Sequence, residues 1–321
     1  MKAFSIIHAG ASPRLTQRPD RAPKSDEIKV RIAAAGLNFA DLLMIEGTYQ
    51  DTPAPPFTLG LEAAGEVIEV GSDVDRFSVG DRVSVYCGQG GLAESGCFAA
   101  SRAVLLPDEV TYDVGASFQI AYGTSHLALA HRARLRRGET LLVLGAAGGV
   151  GLTAVEIGKL MGARVIACAR GPEKLNIARM AGADHLIEAD TQDIRTSVKD
   201  LGGADVVYDP VGGDQFMSAF RACNPEARIL SIGFAGGQVP QPRLNHLLVK
   251  NIDILGFYWG GYLSFAPEKL TNSLAKVLEW LAEGRLAPHI SAVLPFDRVE
   301  DGLDLLRQRK NTGKVVIRIS D

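Results

Sequence analysis

Cysteine is scarce in this chain, with four residues in 321, at positions 87, 97, 168 and 223. They form no Cys-x-x-Cys pair and no close cluster, which excludes a disulfide framework and suits a reducing compartment with buried, inert thiols. No stretch of about 18 uncharged apolar residues occurs. The N-terminal run Met1 to His8 reads as a short strand rather than a leader, so a cytoplasmic protein is expected. Charge of one sign is also lacking: the formal net charge of −3 leaves no broad electrostatic footprint for a nucleic acid. The local patch Arg132, Arg134, Arg136 and Arg137 is the exception, and it reads as the solvated C-terminus of a helix before Gly138. Internal repeats and low-complexity segments are missing too. With 46% hydrophobic and 22% charged residues, the composition is that of an ordinary soluble protein of about two domains.

What is present is a nucleotide-binding turn. Residues 141–151, Leu-Leu-Val-Leu-Gly-Ala-Ala-Gly-Gly-Val-Gly, place an apolar strand directly before a glycine-rich turn and a helix. Gly148 and Gly151 occupy the second and third positions of G-x-G-x-x-G, with Ala146 at the first. This lets the backbone of Ala147, Gly148, Gly149 and Val150 approach a diphosphate at a helix N-terminus. About 20 residues on, where an NAD-specific fold carries an acid, the chain reads Arg164-Val-Ile-Ala-Cys-Ala-Arg170. Arg170 and Lys174 offer cations there for a 2′-phosphate, so NADPH is expected over NADH; the alternative is that both are ordinary solvated charges.

The first 120 residues show short strands at 28–33, 66–70, 82–86 and 103–106 separated by Gly, Pro and Asp, the pattern of a β-rich barrel or sandwich. From about 125 onward strands alternate with helices, with strand cores at 141–144, 165–169, 185–187, 205–208, 228–232 and 253–257. Six such strands predict a doubly wound parallel sheet in an α/β protein. Helices are expected at about 267–283 and 299–308. A final strand at 314–319, preceded by a β-type connection at 287–296, is expected to return to the first domain. The boundaries expected are 1–122 with 286–321 for that discontinuous domain and 123–285 for the nucleotide-binding one.

Taken in order, Ala35-Gly-Leu-Asn38-Phe-Ala-Asp41, Gly60-Leu-Glu62-Ala-Ala-Gly65, Val79-Gly-Asp-Arg-Val83, Ala146-Ala-Gly-Gly-Val-Gly151, Asp209-Pro-Val-Gly-Gly213 and Gly313-Lys-Val-Val316 resemble the medium-chain dehydrogenase/reductase superfamily. Within it they resemble the zinc-free quinone oxidoreductase branch, whose crystallin-type members are relatives. The resemblance implies a GroES-like β-barrel catalytic domain, a Rossmann domain with a six-stranded parallel sheet, and an active site between them. Zinc-dependent members carry a cysteine where this chain has Asn38 and a histidine where it has Leu61. Their structural zinc lobe needs four close cysteines. No metal is therefore expected, nor a Lewis acid to polarise an alcohol. His126 and His131, five residues apart, read as lone helix histidines.

The reaction this implies is hydride delivery from NADPH to a quinone or another conjugated carbonyl compound, the cofactor carrying the chemistry. The resemblance places Asn38 at the nicotinamide or substrate, with a turn residue as its plainer role. It places Thr124 at the nicotinamide end, or as a helix-start hydroxyl. Tyr49 is placed to donate a proton, to orient a carbonyl, or merely to line the pocket. Gly212, Gly233, Phe234, Ala235, Phe257, Tyr258 and Trp259 follow strand ends, where ligands of this fold bind, although 257–259 equally suit a homodimer contact. Arg309 either reaches the 2′-phosphate or is a surface charge. Two rival readings remain: an enoyl-thioester or enone reductase, and an NADPH-binding protein without turnover, serving structurally as a crystallin or binding RNA. The near-neutral charge balance and the lack of an aromatic-basic motif weigh against the last.

Overall fold

The computed structural model describes residues 1–320 and divides into two compact units, Met1–Ile120 with the segment from Pro288 onward, and Ala121–Ala287. The chain passes from the first to the second within the helix Tyr112–His126. No helix among the described residues is long and apolar enough to cross a membrane.

In the second unit, six strands among the described residues form one parallel sheet: Thr140–Leu144, Arg164–Ala169, His185–Glu188, Ala204–Asp209, Cys223–Ser231 and Asp253–Gly256. Across the sheet they run third, second, first, fourth, fifth, sixth, the doubly wound order whose switch point lies between the first and fourth strands. Thr140–Leu144 is buried at every residue and Arg164–Ala169 at all but its first. Central parallel strands covered on both faces read as unbroken apolar runs for this reason. Leu142, Leu144, Ile166, Cys168, Val207 and Ile229 form the sheet's share of a core completed by Phe216, Phe220 and Val198 from the helices.

The arginine patch is not a helix C-terminus as the sequence suggested. The helix continues as one wide π-turn, Leu127–Arg132, and stops. The amides of Ala133 and Leu135 reach back to the carbonyls of Ala128 and Leu129 (2.8 and 2.9 Å) as Leu135 turns inward. Arg134 adopts a left-handed backbone, φ +50°. Only Arg132 is helical; Arg134, Arg136 and Arg137 belong to the following loop, where Arg228 donates to the carbonyls of Ala133 and Arg134 (2.6 and 3.1 Å).

The first unit is built on an antiparallel framework around the long strand Glu27–Leu37, which pairs with Glu62–Val70, Ser95–Ala99 and the C-terminal strand Lys314–Arg318. The last of these also pairs in parallel with Ile290–Pro295. The short strands Arg14–Gln17 and Ser95–Ala99 were not legible from the sequence: the first is exposed and polar, the second lacks alternation. The register Val315↔Leu37 and Val316↔Gly36 brings Lys314 beside Asn38, although 276 residues separate them. Gly36 allows this seam to close, since a Cβ there would lie 2.1 Å from the carbonyl oxygen of Ala116.

Candidate functional site

In the second unit, the turn after Thr140–Leu144 is shaped by its glycines. Gly145 takes φ +59°, the Ala146 amide donates to the Cys168 carbonyl and the Gly148 amide to the Gly145 carbonyl, both at 3.0 Å. A Cβ on Gly151 would sit 2.2 Å from the Gly145 oxygen, so a side chain would force the helix off its strand. A Cβ on Gly148 would meet nothing of the protein closer than 3.4 Å. Packing thus requires Gly151 to be a glycine, whereas at Gly148 the protein itself leaves room for a methyl group. The helix Gly149–Leu160 starts there with no side chain capping it. Its first-turn amides, Gly149, Val150 and Gly151, have no intrahelical acceptors and suit an anion. A dinucleotide diphosphate fits this cradle.

Ser125 supports the turn from beneath and was missed in the sequence. Its hydroxyl donates to the Val150 carbonyl (3.0 Å) and lies 2.7 Å from Thr153 Oγ1 and 3.1 Å from the Tyr208 hydroxyl; Ser125, Thr153 and Tyr208 are buried. Burial pushes the Tyr208 phenol well above its ordinary value. Thr124, its neighbour in sequence, is buried as well.

Arg170 is exposed at the end of the second strand, and Lys174 is half-buried in the first turn of the helix Pro172–Met180. Gly171 between them has φ +79° and donates its amide to Glu188 Oε1 at 2.8 Å. Glu188 is an acid from the neighbouring third strand, a position that second-strand reasoning does not inspect. It also accepts from the Thr191 hydroxyl (2.7 Å) and the Asp190 amide (3.1 Å). These hydrogen bonds, Thr191 foremost, hold its carboxyl below the usual carboxylate range. Glu188 is consumed in fixing the turn that carries Arg170.

The fourth strand ends at Asp209, whose Oδ1 accepts the amides of Val211 (2.8 Å) and Gly212 (2.9 Å). Burial pushes its carboxyl up to about 6, against the pull of those amides. Gly212 has φ +76° and stands where a Cβ would strike the Gln238 carbonyl at 2.6 Å. The loop after the fifth strand is tied to this turn: the Gly233 amide reaches the Asp209 carbonyl (3.4 Å) and the Ala235 amide the Pro210 carbonyl (3.0 Å), while the Phe234 ring is exposed. Beyond the sixth strand, Phe257 is buried against Tyr262, with ring centroids 5.6 Å apart, and Tyr258 is half-buried. The glycine turn and the turn at Gly212 leave the two strands that flank the switch point. Arg309 belongs to the other unit, exposed and with φ +54° just past the helix Val299–Arg307.

The first unit holds a buried polar cluster on the motifs around Asn38 and Glu62. Lys314 Nζ donates to Glu62 Oε1 (2.7 Å), Asn38 Oδ1 (2.8 Å) and the Leu37 carbonyl (3.0 Å). Asn38 Nδ2 donates to Glu62 Oε1 (3.0 Å) and the Gly36 carbonyl (3.2 Å). Glu62 Oε2 accepts the Ile120 amide at 3.1 Å. Asp41, wholly buried, accepts the Asn38 amide on Oδ2 at 2.8 Å, while its Oδ1 has no hydrogen-bond partner of normal geometry. Burial pushes the Asp41 carboxyl up to about 7; the Asn38 amide and the Lys314 charge oppose this and the Glu62 charge adds to it. Asn38 and Tyr49 stand at opposite ends of the helix Phe39–Glu46, with the Tyr49 amide on the Leu43 carbonyl at 3.3 Å and its side chain half-buried. The importance of Lys314 could not be read from its place in the terminal Gly-Lys-Val-Val, because long-range strand pairing creates the cluster.

A zinc ion does not fit this set of donors. Leu61 is a buried hydrocarbon, Asn38 is a neutral amide, and Glu62 is bonded to an ammonium and a backbone amide. Among the described residues no group of three or more His, Cys, Asp or Glu could hold a metal. The buried thiols are held protonated: burial pushes Cys168 and Cys223 up to about 12.

Residues 24–110 match the family described as the alcohol dehydrogenase GroES-like domain, and residues 149–283 that described as zinc-binding dehydrogenase. The chain is 40% identical over 299 residues to the quinone oxidoreductase-like protein 2 homolog of Nematostella vectensis, covering 91% of this chain and 82% of that one. Among solved structures, the quinone oxidoreductase of Thermus thermophilus superposes with a TM-score of 0.88 at 31% identity, over 99% of this chain and 100% of that one. The Escherichia coli quinone oxidoreductase complexed with NADPH gives a TM-score of 0.90 at 26% identity, over 99% of both chains. With both domain families matched in order and a zinc position that carries neither thiolate nor imidazole, the chain belongs to the zinc-free quinone oxidoreductase branch of the medium-chain dehydrogenase/reductase superfamily.

Proposed function

We propose that this protein is an NADPH-dependent, zinc-independent reductase that transfers a hydride to quinones or other conjugated carbonyl compounds. The observation that carries the reading is the glycine turn with its uncapped helix, next to a strand that is followed by Arg170 rather than by an acid. NADPH-complexed relatives of the same fold support it. When bound, NADPH supplies the hydride, and the acceptor's conjugation makes a metal unnecessary. The chain's own residues bind and orient. The amides of the first helical turn meet the diphosphate, Arg170 and Lys174 meet the 2′-phosphate with Arg309 as a further cation, and Gly212, Gly233 and Phe234 border the cofactor. Thr124, Phe257 and Tyr258 complete the nicotinamide side, Phe257 as packing beneath it. Asn38 orients the reacting end, and Tyr49 donates a proton to the reduced acceptor. The test is NADPH oxidation by metal-stripped protein offered a naphthoquinone, a simple enone and crotonyl-CoA in parallel. Quinone turnover is expected; exclusive turnover of crotonyl-CoA would make the chain an enoyl-thioester reductase, and none at all would overturn the reading. Tyr49→Phe should lower enone turnover by about a hundredfold, within the range of a positioned acid, and leave quinone rates within a few-fold.

Cofactor preference follows from charge. Each charge-assisted hydrogen bond to a phosphate contributes roughly 1.5–3 kcal/mol, so Arg170→Ala with Lys174→Ala should raise the KM for NADPH by about a hundredfold and leave that for NADH nearly unchanged. Equal losses with both cofactors would move the phosphate site elsewhere.

The reading includes a homodimer. The strand Asp253–Gly256 is an edge of its sheet, Ile254 is partly exposed, and Leu244, Leu248 and Val249 on the preceding helix are each more than three-quarters exposed. Unpaired edges beside apolar surface favour pairing with another chain. Light scattering should give twice the chain mass for the native protein and the chain mass itself for Leu248→Asp/Val249→Asp.

A further inference from the structure

The second unit begins at Ala121 and ends at Ala287, so the chain enters and leaves it at two points far apart in sequence. One carboxylate holds both. Glu156 Oε2 accepts the Tyr122 hydroxyl at 2.6 Å, and Oε1 accepts the Ala287 amide at 2.5 Å. Tyr122 is buried, whereas Ala287 is exposed. Pro288 has no N–H, so the Ala287 amide is the last backbone donor before the chain leaves, and the proline confines Ala287 to extended backbone. Among the described residues no cation faces the carboxylate; burial pushes it above its ordinary value, and the two neutral donors oppose this. Hydrogen bonds to an ionised acceptor are the strong ones.

Glu156 stands on the helix Gly149–Leu160, whose first-turn amides form the anion cradle. Residues 150, 153 and 156 share one side of it, and all three meet the helix on which the chain enters. The Val150 carbonyl accepts the Ser125 hydroxyl (3.0 Å), the Thr153 hydroxyl lies 3.1 Å from the Ala121 carbonyl, and Glu156 takes Tyr122. Hydrogen bonds thus join the cradle to the entry over two helical turns, and the Ala287 exit is bonded to the same helix through Glu156.

We infer that Glu156 is a positioning residue that couples the anion cradle to both ends of the unit, so that an anion on the first-turn amides and firm anchorage of Tyr122 and Ala287 favour one another. A diphosphate drawn onto Gly149, Val150 and Gly151 fixes the helix, and with it the carboxylate two turns along. Coupling between two such events is reciprocal: loosening the ends weakens the anion by the factor by which the anion tightens the ends. That the anion is part of NADPH rests on the proposed function; the coupling does not.

Hydrogen exchange and binding test this on the full chain. In protein labelled with 15N-alanine, with the Ala287 signal identified by its loss in Ala287→Gly, that amide should exchange at least about tenfold more slowly than in an unstructured peptide. Saturating NADP+ should slow it about threefold further, and inorganic pyrophosphate, which asks only for the first-turn amides, should act in the same direction. In Glu156→Ala the protection should disappear, neither anion should restore it, and NADP+ should bind about threefold more weakly although no residue of the cradle has changed. Glu156→Gln is the rescue: its oxygen accepts the Ala287 amide and its NH2 meets the Tyr122 hydroxyl, which accepts as well as donates. It should regain the protection, the response to both anions and an affinity within about twofold of the native protein. Equal NADP+ affinity in all three proteins would reduce Glu156 to a structural role and overturn the inference. So would a native Ala287 amide that ignores both anions, or one that answers them equally in Glu156→Ala. A response to pyrophosphate with none to NADP+ would overturn the proposed function and leave the coupling standing.

Discussion

Gly148→Ala is expected to bind NADPH at least tenfold more weakly at an unchanged melting temperature, whereas Gly151→Ala is expected to lose stability and binding together. The two glycines differ in what a methyl group would meet. At Gly148 the backbone, φ −78° and ψ 175°, is one that alanine adopts freely. The protein atom nearest to the new Cβ is the Gly145 oxygen at an ordinary 3.4 Å. The fold therefore accepts the methyl group, which projects where the diphosphate must approach. At Gly151 the same group would lie 2.2 Å from the Gly145 oxygen and 2.8 Å from its carbon. Those are backbone atoms of a hydrogen-bonded turn and cannot swing aside, so the helix must shift against its strand. Overpacking of this kind costs about 1–3 kcal/mol or more. Thermal melting and fluorescence titration with NADPH on both variants separate the two roles. Equal loss of stability in both would show that the turn, and not the ligand, requires Gly148.

The second large effect is a dependence of stability on pH that Asp41→Asn should remove. Asp41 has an ordinary pKa of 3.8 in the unfolded chain and about 7 in the folded one, because burial disfavours its charge more than Lys314 and the Asn38 amide restore it. Between about pH 4 and 7 the folded protein therefore holds a proton that the unfolded chain has lost. Stability must fall as pH rises through that window and then level off. At 1.36 kcal/mol per pKa unit, the loss amounts to up to about 4 kcal/mol by pH 8. Asp209, raised to about 6, acts in the same direction over a shorter span. An asparagine at position 41 keeps an oxygen for the Asn38 amide and never ionises. It should melt close to the native protein at pH 5 and several degrees above it at pH 8. A difference between the two proteins that does not change with pH would mean that Asp41 stays ionised throughout.

Much of this was legible because it is local. The six parallel strands show as short apolar runs, and the glycine spacing marks the turn. Strand limits from sequence were short by a residue or two at several places and by more at Glu27–Leu37, Glu62–Val70 and Cys223–Ser231; the first two extend through the small buried residues 34–36 and 63–65, which carry little strand signal of their own. The arginine loop was misread because a wide helical turn leaves no signal in residue spacing. Ser125, Glu188 and Lys314 were invisible for a different reason. Each acts on a group far away in the chain: Ser125 on Val150, Glu188 on Gly171, Lys314 on Asn38. Only strand pairing and helix packing bring such partners together, and one sequence carries no record of which pairs will meet.

The cysteines described at the outset gain a meaning from the chemistry proposed here. Quinones and enones are electrophiles that alkylate thiolates, so an enzyme that handles them is exposed to inactivation by its own substrate. Thiolate is the reactive form, and with Cys168 and Cys223 raised to about 12, only about one such thiol in 10⁵ is ionised at pH 7. Cys87 is buried and its thiol is pushed well above the ordinary value, and Cys97, the most accessible of the four, is raised as well. The same scarcity and burial of sulfur that excluded a disulfide framework would let the protein outlast the compounds it consumes.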